Sequence, residues 1–141
     1  GLASFKPADL ETGELGLRHL DFRDQSLRFK SEGVPSWRSY PSHRCETEVG
    51  KHWIWLARDS TGERFYLFDR ENLTLDGTVD LVDRLPYGRS EMHALGDSIY
   101  LTYEGKRKEL KFETHPVPSI VISRLSTEEL MKAAKPPIPA K

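Results

Sequence analysis

Along most of this chain, apolar residues recur at every second position in short runs bounded by glycine, proline and small polar residues. Ser26-Leu27-Arg28-Phe29-Lys30 alternates strictly, Leu27 and Phe29 inward and Arg28 and Lys30 outward, which predicts a strand with one wet face. Lys51 to Ala57 differs, because Trp53 and Trp55 share one face and Ile54 and Leu56 the other. Phe65 to Phe68 is apolar on both faces in the same way, and strands buried on two sides read like this. Asp59-Ser60-Thr61-Gly62 between them supplies the small residues a hairpin loop requires. Leu15-Gly16-Leu17 and Leu20-Asp21-Phe22 predict a further hairpin, its phase slipping at Arg18-His19 as a bulge would produce.

Ile54-Trp55-Leu56 reappears as Ile99-Tyr100-Leu101, 45 residues on. The second copy predicts a hairpin of its own, turning at Glu104-Gly105-Lys106-Arg107 into Leu110-Lys111-Phe112. Thr78 to Val82 reads as an outer strand and Ser90 to Ala94 as a short one, followed by a turn at Leu95-Gly96-Asp97. Ser119 to Ser123 is the last strand. Ser126-Thr127-Glu128-Glu129 matches a capping box and starts a short helix to about Lys135, which Pro136-Pro137 stops. The expected fold is all-β, built mainly of antiparallel hairpins in a propeller-blade-like or sandwich arrangement, with one short C-terminal helix. Residues 1–135 are expected to form a single β-rich domain, with 136–141 a proline-rich tail.

Gly33 to Gly50 shows no periodicity and is expected to be a long loop. Its aromatic residues argue against disorder, since disordered segments are poor in them. Charge removes some function classes. Lys and Arg number 21 against 22 Asp and Glu, and a net charge of −1 supplies no attraction to nucleic acid. No window approaches 18 consecutive apolar residues, so no membrane span is expected, and the chain reads as soluble. Gly1 to Leu17 has no signal-peptide pattern, and Cys45, the only cysteine, excludes an internal disulfide. Periplasm and cytoplasm both remain open as compartments.

The densest set of possible ligands is His43, Cys45, Glu46, Glu48 and His52. Only three are nitrogen or sulfur donors, and their spacing matches no paired cysteine signature, so no metal and no cofactor are expected. Cys45 with His43, His52 or His93 is formally a nucleophile and base, but such a pair also needs a third, orienting group. No G-x-S-x-G, phosphate-binding glycine loop or H-E-x-x-H occurs, so no catalytic residue is assigned. Glu91 and His93 read as a surface pair. Trp37, Arg38, Tyr40, His43 and Arg44 are the candidate contact residues for a protein partner, because tyrosine, tryptophan and arginine dominate interface hot spots. Arg58 and Arg89 lie near turns. At least one of Trp53 and Trp55 is expected in the core.

The two apolar triplets with their glycine-bearing turns resemble β-propeller blades over residues 51 to 113, with the Leu15 to Lys30 hairpin as a third, degenerate unit. A closed propeller needs about four blades, so the length suits only a partial, fan-like set. That arrangement loosely resembles periplasmic immunity proteins that neutralise amidase effectors of type VI secretion. The resemblance implies a non-enzymatic protein that blocks a partner enzyme, and it assigns no individual residue. The alternative is a small enzyme or toxin domain using the His, Cys and Glu residues between positions 43 and 52.

Overall fold

In the computed structural model, the described residues are 12–15, 18–24, 27–30, 42–59, 62–107 and 117–136. They form nine strands and one helix, and the expectation of an all-β fold with a single short C-terminal helix holds. The strands are β1 (Thr12–Leu15), β2 (Arg18–Asp24), β3 (Ser42–Val49), β4 (His52–Asp59), β5 (Gly62–Asp69), β6 (Leu75–Asp80), β7 (Ser90–Leu95), β8 (Ser98–Arg107) and β9 (Val117–Ser126). Helix α1 spans Thr127–Ala133. One sheet has the order β1-β2-β9-β8-β7, the other β3-β4-β5-β6. All pairings are antiparallel except β2 with β9.

Both apolar triplets supply one shared core. Ile54 and Leu56 on β4 and Ile99 and Leu101 on β8 are fully buried, packed in a cluster with Phe65, Leu67, Val79, Val121 and Leu125. The middle residues, Trp55 and Tyr100, lie on the opposite faces and are half-buried. Period-two alternation therefore fixes which way each sheet faces. Leu130 of α1 is fully buried in the same core, and Ser126 caps the helix by accepting from the Glu129 amide at 3.3 Å.

Four expectations need correction. The 104–107 segment does not turn: β8 runs straight through it and pairs with β9, Gly105 opposite Ser119. Gly105 permits close approach instead, since a Cβ there would lie 2.8 Å from Val121 Cγ2. Arg18 and His19 are not a bulge but the start of β2, with Leu15 paired to Arg18. The β1–β2 hairpin is no separate unit, because β2 joins the first sheet through β9. Finally, the second half of the expected loop from Gly33 to Gly50 is strand β3. Cys45 faces the core while Glu46 and Glu48 face outward, and so few apolar residues hid the alternation. The related hairpins are thus β3–β4 and β7–β8. Each turns through two residues led by a glycine at positive φ, Gly50 at 57° and Gly96 at 60°.

The Leu27 to Lys30 alternation is present, with Leu27 and Phe29 against the core and Arg28 and Lys30 exposed. It forms a single bridge, Phe29 to Leu81, at the end of β6. Lys135 bridges Thr78 on the same strand. Residues 33–41, the first half of the expected loop, and 137–141, most of the expected tail, lie outside the described residues, as do 108–116.

Candidate functional site

Strand β3 lies next to β7, so the two sheets meet along a seam between edge strands of different sheets. A cleft of about 520 Å³ opens at that seam. Its walls come from the start of β3, the end of β4, the β6–β7 connection and the start of β7. His43, Arg44, Arg58, Tyr87, Arg89 and Ser90 line it.

Behind the cleft stands a buried ion cluster. The Glu63 side chain on β5 is fully buried. Its Oε1 accepts from Arg44 Nη1 at 3.0 Å and from Arg58 Nε at 2.7 Å. The arginine side chains are 10 % and 14 % exposed, so water screens these pairs poorly. Each guanidinium also donates onward, Arg44 to the Pro86 carbonyl and Arg58 to the Leu85 carbonyl. One carboxylate therefore fixes two arginines, and they fix the connection that carries Tyr87. Burial alone would lower the Arg58 pKa, but its interactions with Glu63, and secondarily with Tyr87, more than offset that and hold it above the ordinary value.

The mouth of the cleft is organised differently. Tyr87 is 85 % exposed, and its only mapped ring partner is the Arg58 guanidinium, 4.3 Å from the ring centroid. Arg89 is exposed and has no ion-pair or hydrogen-bond partner among the described residues. His43 packs its ring on Trp55 at 4.9 Å and places Nε2 3.4 Å from Glu46 Oε2.

On the outer face of the second sheet, Trp53, Trp55 and Phe68 form an aromatic cluster with centroids 4.9 to 5.9 Å apart. Neither tryptophan belongs to the shared core, contrary to expectation, and both are half-buried.

Of the five predicted contact residues, His43 and Arg44 line the cleft, while Trp37, Arg38 and Tyr40 lie outside the described residues. The strand geometry separates the members of the 43–52 cluster. Cys45 points into the core, where burial pushes its thiol up to about 11, whereas His43 is on the exposed side. Glu48 pairs with Arg70, and His52 lies 3.4 Å from Asp76. No group of three or more His, Cys, Asp and Glu residues suited to a metal ion occurs among the described residues. Glu91 and His93 are a surface pair at 3.6 Å, both exposed.

Sequence reasoning missed Tyr87, Glu63 and Ser90. The signal for Tyr87 was present in Pro86-Tyr87-Gly88, where an aromatic side chain between two turn residues has no strand face on which to bury itself. Nothing in the sequence marks Glu63, whose partners come from β3 and β4. Among the described residues, no helix is long and apolar enough to cross a membrane. No family model, no curated protein and no solved structure matches this chain.

Proposed function

We propose that this chain is a non-enzymatic protein-binding module, an immunity or inhibitor protein that masks a partner enzyme, and that the seam cleft is its contact surface. One observation carries the reading: Tyr87, 85 % exposed, stands at the mouth beside Arg58 and Arg89 on a connection clamped from below. Tyrosine and arginine are the residue types that dominate interface hot spots, and clamping lowers the ordering cost of binding. The Cys45 thiol, buried and facing away from His43, does not form the nucleophile–base pair that those two residues would need to make.

The test is site-specific photocrosslinking in the native lysate. A benzophenone side chain at position 87 is expected to trap one discrete partner, and the same group at Leu95, exposed on the β7–β8 turn, is expected to trap none. With that partner purified, Tyr87→Ala should weaken the complex by about tenfold or more, as removal of a hot spot does. Equal trapping from positions 87 and 95, or unchanged affinity of the folded Tyr87→Ala protein, rejects the cleft as the contact surface.

A further inference from the structure

Resting on that reading, we infer that the cleft is built to receive a carboxylate, an aspartate or glutamate side chain presented by the partner. The lining supplies donors in excess. Arg44 Nε has no partner among the described residues, although its other nitrogens are committed to Glu63 and to the Pro86 carbonyl. Arg89 contributes a whole guanidinium.

A second, independent feature points the same way. Ser90 is 8 % exposed and lines the cleft, and its Oγ is buried without a hydrogen-bond partner. It faces the Cys45 thiol, a weak acceptor. A buried hydroxyl left unsatisfied is destabilising, and an incoming oxygen acceptor removes that cost.

Three guanidiniums face the cleft, with Glu63 behind it, Glu91 on its rim, Glu46 beside His43 and Glu104 beside Gly88 as the carboxylates around them. Planar, forked guanidiniums match a carboxylate in two-bond geometry, and their charge-assisted bonds are about twice as strong as neutral ones. An acidic side chain fits the uncommitted guanidinium edges of Arg44 and Arg89 in this lining.

The test uses the intact chain and two defined probes, acetyl-Gly-Glu-Gly-amide and its glutamine counterpart, followed by NMR at the arginine Nε–H and Ser90 amide signals. The glutamate peptide is expected to give saturable shifts at Arg44, Arg89 and Ser90 at millimolar concentration, with the glutamine peptide at least fivefold weaker. Arg89→Gln and Ser90→Ala should each weaken the glutamate peptide at least threefold while leaving the backbone spectrum elsewhere unchanged. Equal response to both peptides, no saturable shift, or unaltered affinity in Arg89→Gln overturns the inference. Inorganic phosphate at the same residues binding more tightly than the glutamate peptide overturns it too, in favour of a free oxyanion. If crosslinking from position 87 succeeds while the peptide test fails, the contact surface stands and only its acidic counterpart falls.

Discussion

Glu63→Gln removes one negative charge from a site where it faces two cations and almost no water. The geometry sets the magnitude. With charge centres about 4 Å apart, each Glu63–arginine pair attracts by about 4 kcal/mol at an effective dielectric near 20. Dehydrating the three ions opposes most of that gain, so the cluster as a whole adds little net stability. Removing one partner is another matter, because the desolvation of the remaining charges stays uncompensated, at a cost of about 3–5 kcal/mol. Arg44 and Arg58 each keep an edge at the cleft, which places the expectation near the lower end, about 3 kcal/mol. Urea denaturation followed by tryptophan fluorescence measures it, with the slope m expected to stay constant. The triple variant Arg44→Met, Arg58→Met, Glu63→Leu is expected to recover most of the loss, since apolar residues of similar volume often match a buried ionic cluster. A loss below about 1 kcal/mol in Glu63→Gln, or a triple variant weaker than the single, refutes the view that Glu63 acts by compensating charge.

Two further expectations test the fold around the cleft. Gly105→Ala places a Cβ 2.8 Å from Val121 Cγ2 and should cost about 1–3 kcal/mol in the same urea assay, with Val121→Ala in the double variant relieving the clash. Additive losses in the double variant would reject close approach as the reason for glycine. Cys45 tests the burial of β3 through pH. Its folded pKa lies above the unfolded value, so the stability from keeping the thiol neutral is complete below about pH 9 and is lost as pH rises through about 11. Cys45→Ala should therefore show a shallower alkaline decline in urea midpoint than the parent, and parallel declines would contradict the assignment.

The parts of the fold legible in the sequence are those where burial is carried by strongly apolar residues. Ile54, Leu56, Ile99 and Leu101 identified their strands and the inward face of each, because period two leaves no freedom once one face is apolar. The Ser126 cap was legible for a similar reason, being local chemistry between residues three apart. Strand β3 was not, because as an edge strand it alternates Cys45, Thr47 and Val49 with glutamates, and that contrast is weak. Gly105 misled in a different way. A glycine beside Lys106-Arg107 reads as a turn, while its actual role depends on Val121, sixteen positions further on. The candidate site was legible only in its β3 portion, His43 and Arg44. Its remaining walls come from strands β4 and β7 and from the connection after β6, and only the closed fold makes them neighbours.

A seam between edge strands of two sheets has to be blunted whether or not anything binds there, since unpaired strand edges invite association. Buried charge is one way to do so, and it accounts for Glu63, Arg44 and Arg58, which are bonded through Glu63 Oε1 and to the Leu85 and Pro86 carbonyls. That same requirement does not account for Tyr87 or Arg89. Arg89 makes no bond to any described residue, and Tyr87 meets the Arg58 guanidinium, which is already bonded to Glu63 from below. Removing both would leave every bond of the ion cluster intact. These two side chains, held by little among the described residues and standing on a connection clamped from below, are the ones on which the proposed contact surface rests.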